Sequence, residues 1–112
     1  MRLSPLDPQR WMFFFGMSAA HLVARRLEAA IDWADRCLRE QPRLPHVYRC
    51  KAVACAHLDR MQNAQECLER MFELQPAFTI SGWKRTYAAS LFSLETMAMY
   101  VEGLRKAGLP EE

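Results

Sequence analysis

A chain of 112 residues sits near the low end for one folded domain, and a 51% hydrophobic, 25% charged composition is that of a globular rather than a disordered protein. Fifteen basic and thirteen acidic residues leave a net charge of only +2. That is too little for the basic stripe a nucleic-acid-binding surface requires, so no nucleic-acid partner is expected.

The first predicted helix runs from about Pro8 to Ala24 and opens with the apolar run WMFFFGM, Trp11 to Met17. A membrane span takes about 20 apolar residues, and this run is closed off by Arg10 before it and Arg25-Arg26 soon after. Asp7 and Pro8 interrupt the start that a secretory signal would need. No membrane partner is expected, and the run should be buried by protein. A second helix follows from about Leu27 to Glu40. Its apolar positions, Leu27, Ala30, Ile31, Ala34, Cys37 and Leu38, lie on one helical face. After a turn at QPRLP, a third helix runs from about His46 to Leu58, with Pro45 suited to its first turn. Asp59-Arg60 form the next turn, and a fourth helix spans about Met61 to Leu74 before QPAFT breaks the chain. In the tail, Ile80, Trp83, Tyr87 and Leu91 suggest a shorter helix. Leu94, Met97, Ala98, Val101 and Leu104 form a clear apolar stripe, with Ser93 as its N-cap and Gly108 as its C′ glycine. Scarce glycine and abundant Ala, Leu, Met, Arg, Glu and Gln agree with helix throughout. The fold class is all-α.

The prolines reveal an internal ruler. Pro8, Pro42 and Pro76 are evenly spaced, and their spacing equals the period of a known helical-hairpin repeat. Shifting the apolar set of the second helix by that same period gives Met61, Ala64, Gln65, Leu68, Met71 and Phe72, of which all but Gln65 remain apolar or small. In the first helix, Phe14, Ser18 and His21 map onto Tyr48, Ala52 and Cys55. The period, the small residues and the terminal prolines resemble the tetratricopeptide repeat. Repeat one fills the family's slots with Phe14, Met17-Ser18, His21, Ala30, Cys37 and Pro42. Repeat two fills them with Tyr48, Lys51-Ala52, Cys55, Ala64, Met71 and Pro76. The family's Leu-Gly pair is missing in both, and Lys51 is out of place there.

The resemblance implies one domain, residues 1–112, built as an α-α superhelix: repeat one at about 9–42, repeat two at about 43–76, and a degenerate capping hairpin at 79–109. The start, RLSPLDP, resembles the end of a preceding repeat, so the chain is expected to be part of something longer. The ending, YVEGLRKAGLPEE, resembles the C-terminal end of bacterial tetratricopeptide proteins whose repeats follow a class III adenylate/guanylate cyclase or a winged-helix domain.

Four cysteines, Cys37, Cys50, Cys55 and Cys67, form no C-x-x-C pair and no zinc spacing with His21, His46 or His57. Without a secretory signal they point to a reducing cytoplasm. Cys37 and Cys55 take packing slots, whereas Cys50 and Cys67 are less constrained and free to lie at the surface. There is no glycine-rich phosphate loop and no G-x-S-x-G nucleophile elbow, so no catalytic residue, cofactor or metal is expected. Arg25-Arg26, Arg36, Arg39 and Arg43 cluster around the first hairpin, as a solvated rim or an acidic-partner contact.

The family's partner-binding positions, on the concave side of each first helix, correspond here to Met12, Phe15, Ala19, Leu22, His46, Arg49, Val53 and Ala56. The resemblance therefore implies a non-catalytic module for a protein or peptide partner, with a groove either open or filled by the protein's own tail or by a further repeat. A homodimer through the first helix is a further expectation, because that helix lacks a preceding neighbour. The alternative is that the chain belongs to a nucleotide cyclase whose catalytic domain lies elsewhere.

Overall fold

The computed structural model describes residues 10–82 and 94–109. They form five helices: α1 Arg10–Val23, α2 Leu27–Glu40, α3 Pro45–His57, α4 Met61–Leu74 and α5 Leu94–Lys106. Residues 80–82 are helical as well, and no strand occurs among the described residues. The expected positions of Pro8, Trp83, Tyr87, Leu91 and Ser93 lie outside them. The architecture is all-α: α1 and α2 form one antiparallel hairpin, α3 and α4 a second, and α2 packs on α3 to join them.

The ruler set by the prolines is physical. Helix α4 begins and ends one full period after α2, Met61–Leu74 against Leu27–Glu40. The turns repeat as well. Arg25 and Asp59 hold the left-handed backbone conformation, with φ of 63° and 60°. Around each, the chain closes the preceding helix with the same two bonds. Arg26 N donates to His21 O and Arg60 N to Cys55 O, both at 2.8 Å, while Arg25 N reaches Leu22 O at 3.0 Å and Asp59 N reaches Ala56 O at 3.1 Å. This six-to-one, five-to-two pattern satisfies carbonyls that a helix end would otherwise leave without partners. Gly108, with φ 98°, ends α5 the same way, with Leu109 N bonded to Leu104 O at 3.0 Å. It is the C′ glycine its position predicts.

Small residues set the helix spacing. Ala30, Ala34, Ala52, Ala64 and Cys37 are all buried, and Ser18 satisfies its own hydroxyl across the first hairpin by donating to Ala30 O at 2.7 Å. Ion pairs tie the two hairpins together. Lys51 on α3 meets Asp35 on α2 at 2.6 Å, and Arg60 meets Glu28 at 2.7 Å. The first pair explains the odd lysine: its ammonium reaches past the hairpin seam to a carboxylate instead of filling the apolar slot.

The last helix, α5, is not stacked beyond α4 but lies against α3. Its buried side, Met99, Tyr100, Val101, Gly103, Leu104 and Ala107, joins the main core, while Glu95, Glu102, Arg105 and Lys106 face water. Gly103 makes the close approach possible, since a Cβ there would stand 2.7 Å from Val53 Cγ1 and 3.0 Å from His57 Nε2. His57 Nε2 in turn contacts Met99 O at 2.7 Å.

Two expectations need correction. Cys50 and Cys67 do not lie at the surface: all four cysteines are free thiols and all are buried. Cys50 is enclosed because α5 covers it, with Tyr100 Oη 3.9 Å from its sulfur, and Cys67 because it faces α3 from within the second hairpin. The run WMFFFGM is not enclosed either. Trp11, Phe13, Phe14, Phe15 and Met17 are half-buried, Met12 is 53% exposed, and only Ser18 and Leu22 of α1 are buried. Helix α1 has α2 along one side and touches α3 slightly, and no other described helix packs substantially on it.

Candidate functional site

The eight groove positions fall into two groups. In α3, Arg49, Val53 and Ala56 are buried, and His46 is half-buried. This is the side of α3 on which α5 rests, as the approach of Gly103 to Val53 shows. In α1, Leu22 is buried, Phe15 and Ala19 are half-buried, and Met12 is exposed. Together with exposed Gly16, Ala20 and Val23, these residues make an uncharged apolar strip along α1. The repeat offset maps Gly16, Ala19 and Ala20 onto Cys50, Val53 and Ala54, all of them buried in α3. The same positions are thus closed in one hairpin and open in the other.

The two halves meet where Phe15 and His46 make an edge-to-face contact, with ring centroids 4.6 Å apart. Burial, helped by the nearby Arg49 charge, lowers the His46 pKa below its usual value, so the ring favours its neutral form. Arg49 is the one buried cation among the described residues and has no carboxylate partner there. Its guanidinium lies 4.3 Å from the centroid of the Phe78 ring and donates to Gln75 Oε1 at 2.8 Å, leaving Nε without a partner. Sequence reasoning picked out Arg49 but not Gln75, Phe78 or Tyr100. The latter three lie outside the repeat's first helices: Gln75 and Phe78 stand in the turn after the second repeat, one period after Gln41 and Leu44, and Tyr100 lies in the tail.

Thiol chemistry is muted over most of the site. Burial pushes the Cys37 and Cys50 thiols up to about 11, which keeps both protonated and unreactive. Cys55 differs. A hydrogen bond shared with the Cys67 thiol, with Lys51 nearby, lowers its pKa, and the Cys67 pKa rises because its proton is the one shared. Among the described residues no group of three His, Cys, Asp or Glu side chains could hold a metal ion, and no helix is long and apolar enough to cross a membrane.

On the opposite flank of α1 lies a second feature. Phe13, Phe14 and Trp33 form an aromatic cluster with ring centroids 5.8 to 6.2 Å apart. Arg10 stands 5.8 Å from the centroid of Phe14, and Arg36 stands 4.5 Å from that of Trp33.

No family model matches the chain, and no solved structure matches it. It is similar to the BBSome complex member BBS4 of Bos taurus, with 24% identity over 111 residues. That alignment takes in 96% of this chain but 20% of BBS4, so the chain spans about a fifth of that relative's length.

Proposed function

We propose that this chain is a non-catalytic protein-interaction module of the tetratricopeptide type, which binds an amphipathic helix of a partner protein on the open strip of α1. The observation that carries the reading is the contrast between equivalent positions: α3 has this face covered by the protein's own α5, and on α1 no described helix lies over the exposed Met12, Gly16, Ala20 and Val23. Helix α5 shows by example what such a face accepts: an apolar stripe with a small residue at the closest approach and charges turned to water. The exposed strip of Met12, Gly16, Ala20 and Val23 carries no charge that a docking helix would have to desolvate. The similarity to a named member of a multiprotein complex agrees with a role in assembly.

The test replaces Met12 and Val23 together with Glu. Both side chains are exposed, so folding and melting temperature should be unchanged, while association with protein partners, including self-association through α1, should be lost. A variant that keeps its full association would refute the strip as the binding face. The GLRKAGLPEE ending supports a narrower form of the reading, in which the module is the regulatory region of a bacterial signalling protein such as a nucleotide cyclase. Catalysis would then reside elsewhere, and measurable nucleotide cyclisation by the purified chain would contradict it.

A further inference from the structure

The outer flank of the first hairpin holds a recess of about 400 Å³ lined by Arg10, Phe14, Arg36, Arg39 and Glu40. Nine residues at about 100° each place Arg10 about 180° around α1 from Ala19, so the recess is separate from the open strip. We propose that this recess binds an acidic peptide segment of a partner protein, with Arg36 and Arg39 receiving its carboxylates and the Phe14 and Trp33 rings receiving its apolar side chains.

Three observations carry this. First, the recess has three guanidinium groups and one carboxylate. Glu40 is taken by Arg10, with which it forms a half-buried ion pair. Neither Arg36 nor Arg39 forms an ion pair with a carboxylate of the described residues, even though Asp32 lies one turn before Arg36 and Asp35 one turn before Arg39. Asp35 is engaged by Lys51 instead. Second, Arg36 and Arg39 are three residues apart on α2 and therefore side by side, where like charges repel. An arriving carboxylate pair relieves that repulsion, and guanidinium forks suit planar carboxylates. Third, the Arg36 guanidinium is already held 4.5 Å from the Trp33 ring, which fixes the fork and lowers the ordering cost of binding.

The chemistry favours a peptide over nucleic acid. The chain as a whole carries only +2, and Glu66, Glu69 and Glu73 stand along α4, so the basic cluster of the first hairpin does not extend as a basic stripe along the second. The Phe14 ring in the lining, with Trp33 packed beside it, also suits the aliphatic or ring side chains that alternate with carboxylates in an acidic peptide.

Titration of isotope-labelled full-length chain with a synthetic peptide of alternating Glu and Leu, followed through the arginine Nε–H resonances, tests the proposal. Saturable shifts at Arg36 and Arg39 are expected, with binding weakened at least tenfold in the Arg36→Gln/Arg39→Gln double variant and several-fold by raised salt. Glu40→Gln should tighten binding several-fold by releasing Arg10. These substitutions fall on exposed or half-exposed side chains, and an unchanged melting temperature confirms the fold. The proposal is overturned if the peptide leaves both resonances in place. It is equally overturned if a Gln-for-Glu peptide binds as well, or if a short DNA duplex outcompetes the acidic peptide at equal charge.

Discussion

Helices α1 and α3 hold equivalent places in successive hairpins, with partner helices whose bounds match after one repeat period, yet their surroundings differ. Nine residues of α3, Val47 through Ala56 with only Lys51 excepted, are buried; in α1 the buried residues are Ser18 and Leu22. The composition runs the other way. Helix α1 is the richer in large apolar side chains, with Trp11 and three consecutive phenylalanines, while α3 is built from Ala, Cys and Val with an arginine and a lysine. Burial is decided here by neighbours and not by hydrophobicity. Among the described helices, α3 has α2, α4 and α5 around it, and α1 has α2 and a slight contact with α3. A strongly apolar helix with few neighbours is a surface available for assembly.

The sharpest way to break this comparison is to place a charge at one repeat position in both helices. Ala54 is fully buried, and Ala20, its counterpart one repeat earlier, is exposed. Ala54→Glu should bury an unpaired carboxylate, cost more than about 4 kcal/mol and unfold the chain, whereas Ala20→Glu should stay within about 0.5 kcal/mol. Denaturant melts of the two variants check this, and equal losses would erase the distinction.

Glycine gives a contrast of opposite sign. A Cβ at Gly103 would stand 2.7 Å from Val53, while one at Gly16 meets nothing within 4 Å. Gly103→Ala should therefore destabilise by about 1–3 kcal/mol as α5 is pushed off α3. Gly16→Ala should stabilise by about 0.5–1 kcal/mol through helix propensity alone. Thermal melts resolve both, and a Gly103→Ala variant as stable as the parent would place α5 elsewhere.

The smallest effect is set by pH. His46, at the junction of the closed and open halves, has a folded pKa below its usual 6.5. Between that lowered value and 6.5 the unfolded chain binds more protons than the folded one, so stability rises with pH across this window. It is fully present above the usual value and is lost as pH falls to the folded pKa. His46→Gln should remove the dependence, as read from melting temperatures between about pH 5 and pH 7.5.

The sequence made the second helix of each hairpin legible. The bounds of α2 and α4 fell on the expected residues because their apolar faces, helix-closing turns and small contact residues recur at fixed distance. Gly108 was legible because a left-handed helix stop favours glycine. The seat of α5 was not. Its amphipathic stripe said that it buries one side but carried no register relating it to α3, and Gly103 reads as an ordinary helix glycine until Val53 and His57 are placed beneath it. The Lys51–Asp35 pair was hidden for a similar reason: it joins two helices across the seam, where no within-helix spacing applies. The half-bare state of WMFFFGM was legible only in part, through the expected self-association of the first helix, because an apolar run states a preference for burial and does not supply the neighbour.

Methionine oxidation footprinting, performed at sub-micromolar concentration to suppress self-association, compares the exposure of α1 and α5 side by side. Met12 marks the open half with 53% exposure, and Met99 marks the inner side of α5 with 5%. Met12 should oxidise at least tenfold faster than Met99, with fully buried Met71 as the slow reference. Met99 oxidising as fast as Met12 would mean that α5 does not cover α3 and that the two helices are equally open.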